Sequence, residues 1–209
     1  MRAYFSPHIV VVLIGVSIVL VPGSSHAQGI QGGVQGGVTS SSLPNLTNAI
    51  DFHGPVDIES RTGVVIGPFV AFPMNETIAI QVEALFATKG ATPTDGTNRA
   101  EIKLAYLDVP VLLRLAPSPA WPLYLLFGPS VNFNISAKMI DFVPSRVEED
   151  IGDIIADTEF GLVFAAGVGW RHLLVEGRYS AGLSDIADDP RVTAALRNRA
   201  FAILVGVRF

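Results

Sequence analysis

Ala200-Phe201-Ala202-Ile203-Leu204-Val205-Gly206-Val207-Arg208-Phe209 alternates large apolar residues with small or polar ones and ends on an aromatic. In an extended strand, side chains point to opposite faces with a period of two. Phe201, Ile203, Val205, Val207 and Phe209 therefore share one face, and Ala202, Leu204, Gly206 and Arg208 share the other. The second face is too small and too polar for a soluble core and suits a narrow, wet interior. A strand whose apolar face points outward belongs in a membrane. It then needs similar strands around it, because an open sheet edge in hydrocarbon leaves backbone groups unpaired.

The 209 residues suit one domain, and 49% of them are hydrophobic, with no cysteine. Part of that excess sits at the start. Arg2 and His8 precede an apolar run from Ile9 to Val21, followed by Pro22-Gly23 and Ser25-His26-Ala27, with small residues where a signal peptidase reads. Residues 1–27 read as a cleaved secretory signal peptide and 28–209 as the mature domain. The run is too short for the ~20 residues of a spanning helix. Export permits disulfides, but without cysteine the sheet itself must supply the stability. The net charge of −5 disfavours nucleic acid as a partner.

The mature chain repeats the opening pattern. Gly29 to Thr39, with its Gln-Gly-Gly-Val echo, reads as a weak first strand or a flexible leader. Ser40 to Ser60 has loop composition. Arg61 to Phe72 sets Thr62, Val64, Ile66, Val70 and Phe72 against Arg61, Gly63, Gly67 and Ala71, and Pro73-Met74-Asn75 is a turn. Thr77 to Lys89 sets Ile78, Ile80, Val82, Ala84 and Phe86 against Gln81, Glu83, Ala87 and Lys89. Gly90 to Arg99 reads as a loop. Ile102 to Leu115 sets Leu107, Val109, Val111 and Leu113 against Asp108, Pro110, Leu112 and Arg114, with a bulge expected at Pro110.

After the turn Pro117 to Trp121, residues Leu123, Leu125, Phe127, Val131, Phe133 and Ile135 oppose Tyr124, Gly128, Ser130, Asn132, Asn134 and Ser136. Lys138 to Ala156 reads as a long acidic loop. Asp157 to Trp170 sets Phe160, Leu162, Phe164, Ala166, Val168 and Trp170 against Glu159, Gly161, Gly167 and Gly169. A short turn at Arg171 leads to Leu173, Val175 and Tyr179 opposite Glu176, Arg178 and Ser180. Gly182 to Arg199 is a last long loop, with room for one helical turn near Val192 to Leu196.

These segments make an all-β, eight-stranded, antiparallel up-and-down transmembrane β-barrel, preceded by the signal peptide. Long and short connections alternate along the chain, as they do in outer-membrane barrels with short periplasmic turns and longer outer loops. Phe72, Trp121, Trp170 and Phe209 lie at the short-turn ends, and Phe86, Phe133, Phe160, Tyr179 and Phe201 lie toward the loops, where aromatic girdles belong. A soluble, lipocalin-like ligand-binding barrel is the rival. It would turn its apolar face inward, and a face crowded with Gly, Ala and Ser is a poor solvent surface.

Four stretches resemble one known family: Tyr106-Leu107-Asp108-Val109-Pro110-Val111-Leu112-Leu113-Arg114, Phe127-Gly128-Pro129, Gly177-Arg178-Tyr179-Ser180-Ala181-Gly182-Leu183 and Val205-Gly206-Val207-Arg208-Phe209. They look like the PorT-like or "porin family" outer-membrane β-barrel proteins, related in architecture to the small OmpA and OmpX barrels. The resemblance spans nearly the whole mature chain. It implies a signal peptide, an eight-stranded barrel and a terminal aromatic, here Phe209, recognised by the barrel-assembly machinery. It implies no reaction.

Glu83, Asp108, Arg114, Glu176, Arg178 and Arg208 project to the same inner side. They read as a gate or polar path for solutes, or as an ion-pair network filling a closed barrel. The second reading is favoured because eight strands enclose only enough space for their own side chains. Arg178 is expected to pair with Glu83 or Glu176. His53, beside Asp51, and His172 are the histidines left after signal removal, and neither sits in a nucleophile arrangement, so no catalytic residue is assigned. The acidic run Glu148 to Asp153 lacks the ligand spacing of a calcium loop. Asn45, Asn75 and Asn134 match a glycosylation pattern that an outer-membrane protein would not meet.

No cofactor or metal is expected. The expected partners are outer-membrane lipids and lipopolysaccharide, and the assembly machinery through the last strand. The expected location is the bacterial outer membrane, reached through Sec export. The function expected is a structural or interaction role through the outer loops, with a narrow porin or solute-binding barrel as the alternative. Closure depends on the last strand pairing with the Gly-rich segment Gly29 to Thr39.

Overall fold

The computed structural model describes residues 29–44, 57–95, 98–117, 122–141, 147–152, 155–186 and 196–209. The proposed signal peptide, the helical turn at Val192 to Leu196 and the loop residues Asn45, Asp51 and His53 lie at least partly outside them. The strands are β1 (Gln31–Ser42), β2 (Asp57–Pro73), β3 (Ile78–Glu83), β4 (Leu85–Asp95), β5 (Asn98–Leu115), β6 (Leu123–Asp141), β7 (Val147–Asp150), β8 (Thr158–Trp170), β9 (Leu173–Gly182) and β10 (Arg199–Arg208). Neighbours pair antiparallel around a closed ring in which β3 and β4 form one interrupted strand, and β7 adds to β6 outside it.

The Gly-rich segment is the first strand. β1 pairs with β10 from Gly33↔Arg208 to Ser42↔Arg199 and with β2 from Gln31↔Ala71 to Ser41↔Arg61. Its glycines make room at the seam. The Phe69 ring fills the place a Cβ on Gly33 would take, and the Phe209 ring lies 3.4 Å from the position of a Gly32 Cβ. The Phe209 N–H also donates to the Gly32 carbonyl at 3.0 Å.

Exposure follows the predicted alternation. Phe201, Ile203 and Val205 are 52%, 52% and 55% exposed, while Ala202 and Leu204 between them are buried. Val34, Ile66, Phe127, Phe164 and Val175 continue this apolar band around the other strands. A contiguous apolar surface of that extent needs a lipid surround rather than water. A lipocalin-like barrel would have the faces reversed.

Several boundaries depart from the expectations. Gly90 to Arg99 is not a long loop: β4 runs to Asp95 and β5 starts at Asn98. Lys138 to Ala156 is likewise partly sheet, because β6 continues to Asp141 and β7 folds back with Lys138↔Asp150. At the first outer connection, β1 reaches Ser42 and β2 begins at Asp57. Pro110 makes no bulge. The register shifts lie between Ser60 and Val65 of β2 and between Ala105 and Tyr106 of β5. Pro110 on β5 and Pro68 on β2 instead flank the break at Ala84, since neither has an N–H to donate there. Ala84 keeps one bond, its N–H donating to the Pro68 carbonyl at 3.1 Å.

The extended parts of β4, β5 and β6 are covered on their inner side by an apolar cluster. Leu43, Ile102, Leu104, Tyr106, Ile186 and Leu196 form it, with Ile58, Ile151 and Ile155 packed against it. Polar-looking loops therefore supply apolar residues that cap the long-loop end.

Candidate functional site

The inward positions build the barrel interior in layers. At mid-height, Arg178 on β9 sits between Ala202 of β10 and Ala165 of β8, small neighbours that leave space for its guanidinium. Its Nη1 and Nη2 donate to Glu83 Oε2 and Oε1 at 2.6 and 2.9 Å. Its Nε donates to Glu176 Oε1 at 2.8 Å. Gln35 and Gln81 donate to the same Glu83 carboxylate at 3.0 and 2.6 Å. Arg178, Glu83 and Glu176 are 4%, 2% and 2% exposed, so three charges are held with their hydrogen bonds filled in a nearly dry layer.

Toward the short-turn end, Arg114 Nη1 donates to Gln81 Oε1 at 3.0 Å, and its Cζ lies 4.0 Å from the centre of the Tyr124 ring. Tyr124 donates its hydroxyl to Glu176 Oε2 at 3.2 Å. Phe69, Leu112, Leu126, Val163 and Leu174 pack around this layer. The interior is thus more apolar than the expected run of small and polar residues, because large side chains from few positions fill the tube.

Toward the long-loop end, Lys89 Nζ pairs with Asp108 Oδ2 at 2.8 Å and lies 4.9 Å from the centre of the Tyr106 ring. Glu159, Asn132 and Asn198 are buried beside them, and among the described residues Glu159 Oε2, Asn132 Oδ1 and both side-chain polar atoms of Asn198 have no hydrogen-bond partner. The spaces here measure only about 30 and 10 Å³.

Of the six lumen charges read from the sequence, Glu83, Glu176 and Arg178 meet directly, and Arg114 joins them through Gln81 and Tyr124. Asp108 is engaged instead by Lys89. Arg208 stands apart at the short-turn mouth, where its Nε donates to the Arg171 carbonyl at 2.7 Å. Phe209 lies outside the barrel, 67% exposed. His172 is exposed, its Nδ1 3.1 Å from the Arg208 carbonyl oxygen. The Asn75 side chain organises its own turn, accepting from the Thr77 and Ile78 N–H groups at 2.9 and 2.8 Å.

Formal charge as a criterion passes over Gln35, Gln81 and Tyr124, which also hold these layers. Their inward alternation on β1, β3 and β6 was the available signal. Among the described residues no cluster of three or more His, Asp or Glu side chains could hold a metal. A cavity of about 550 Å³ opens at the short-turn end, below Arg114 and Tyr124.

A sequence-family model described as an outer membrane protein beta-barrel domain matches residues 24–188. No curated protein matches the chain. Three solved structures are similar. Ail, the attachment invasion locus protein of Yersinia pestis, was solved in complex with the heparin analogue sucrose octasulfate. It shares 12% identity over 86% of this chain and 99% of that one, with a TM-score of 0.45. OprG of Pseudomonas aeruginosa shares 13% over 86% and 95%, with a TM-score of 0.44. Neisserial surface protein A shares 9% over 86% and 97%, with a TM-score of 0.48.

Proposed function

The chain belongs to the outer membrane protein beta-barrel domain family, and from that membership we propose that it is a closed barrel acting as a structural or interaction protein of the cell envelope. Export by a cleaved signal peptide at residues 1–27, membership of the PorT-like subgroup, assembly through Phe209 and contact of the outer loops with lipopolysaccharide are parts of this reading. No catalysis is included in it.

The observation that carries the reading is the Glu83–Arg178–Glu176 layer, buried and fully hydrogen-bonded across the lumen. Water or solute passing through would have to break charge-assisted bonds in a low-dielectric interior, leaving buried charges unpaired. The apolar cap over the other end supports the same conclusion and gives the outer strands a platform for contacts.

Planar-bilayer recording on the purified, folded chain tests it. The expected result is no stable single-channel current. A reproducible ohmic conductance would favour the narrow-porin reading, for which the open cavity at the short-turn end is the supporting feature.

A further inference from the structure

We infer that the cavity at the periplasmic, short-turn end is a binding site for a phosphate group, held by Arg114, Arg171 and Arg208. All three arginines line this space of about 550 Å³. Among the described residues few of their donors are spent: Arg114 donates to Gln81, and Arg208 donates to the Arg171 carbonyl. A guanidinium carries five N–H donors. Among the described residues, none of the three has a carboxylate within 4 Å, since Glu83 and Glu176 are engaged by Arg178.

The positions are built rather than incidental. Arg114 is 9% exposed and is held flat against the Tyr124 ring at the cavity floor. Arg208 lies over Gly169, its Nη1 3.8 Å from where a Cβ would stand. Arg171 occupies the turn with φ 53°, its guanidinium 5.7 Å from the Trp170 ring centre. With Arg114 balancing the mid-lumen acids, the lining of the mouth sets Arg171 and Arg208 against Glu76. Three arginines lining one space suit a tetrahedral oxyanion, which offers more acceptor oxygens than a carboxylate. The phosphate could arrive free or on a lipid headgroup of the inner leaflet, and the chemistry of capture is the same.

The test uses the full folded chain, isotope-labelled, in a zwitterionic detergent. Inorganic phosphate is titrated against chloride at equal ionic strength, and short-chain phosphatidic acid is titrated in parallel. Saturable shifts are expected at the amides of Gly169, Arg171 and Arg208 and none at Gly182, at the opposite end. Tighter binding of phosphatidic acid assigns the source to lipid, and equal binding assigns it to free phosphate. Arg171→Asn, which tolerates the left-handed turn, and Arg208→Gln should each weaken binding about tenfold, the loss of one charge-assisted contact. Linear shifts shared with chloride in the unmutated chain, or unchanged affinity in a folded Arg171→Asn variant, would overturn the assignment.

Discussion

Arg178 and Glu83 face each other across the barrel and form a two-bond fork, at 2.6 and 2.9 Å, between residues 95 positions apart in the sequence. The fork ties β9 to β3, strands that are not neighbours in the ring, so it braces the cross-section.

Replacing Arg178 with Met should destabilise the barrel by about 3–5 kcal/mol, because Glu83 and Glu176 would remain buried without their cation. Urea unfolding followed by tryptophan fluorescence reads this directly. A triple Glu83→Gln, Glu176→Gln, Arg178→Met variant should recover part of the loss. If the single variant unfolds at the same urea concentration as the unmutated chain, the brace has no energetic weight.

Gly167 lies under the Tyr124 ring, and a Cβ there would overlap that ring and stand 2.8 Å from the Val175 carbonyl oxygen. Gly167→Ala should therefore push Tyr124 off Glu176 and out from under Arg114, at about 1–3 kcal/mol. The checks are the unfolding midpoint and the near-ultraviolet circular dichroism of tyrosine, which should change together.

Glu159 is the opposite case. It is 1% exposed, and its Oε2 has no hydrogen-bond partner among the described residues. Glu159→Gln removes a buried charge while keeping the shape, so the unfolding midpoint should be unchanged or raised, by up to about 1–3 kcal/mol. A loss of more than about 1 kcal/mol would mean that the attraction of the carboxylate to Lys89 and its contact with Asn132 outweigh the cost of its burial.

Ile203 tests the outer face. Its side chain is 52% exposed in the middle of β10. In a bilayer, Ile203→Arg should cost about 2–4 kcal/mol, whereas the same change on a water-facing strand would be nearly neutral. Folding titrations into lipid vesicles separate the two outcomes.

The faces of the strands were readable because alternation is local. Phe201 and Ala202 must point opposite ways whatever the rest of the chain does, and the same holds from Thr62 to Phe72. The ends of the strands were less readable. Thr92 and Ile102 are not obviously membrane residues, and polar composition made Gly90 to Arg99 look like loop. Gly90 to Asp95 and Asn98 to Arg99 are sheet because β4 and β5 continue beyond the apolar band and bury their inner side under Leu43, Ile186 and Leu196.

Side-chain periodicity thus settled that the chain makes strands with an apolar outside and a small or polar inside, and closure followed from the need to pair every edge in lipid. It could order Glu83, Asp108, Glu176 and Arg178 along their strands but not match them with one another. Matching depends on the register between strands and the stagger of the closed ring, which set the height of each residue along the barrel. Those two quantities bring Arg178 level with Glu83 and Glu176, leave Asp108 to Lys89, and carry Arg208 down to the mouth beside Arg171.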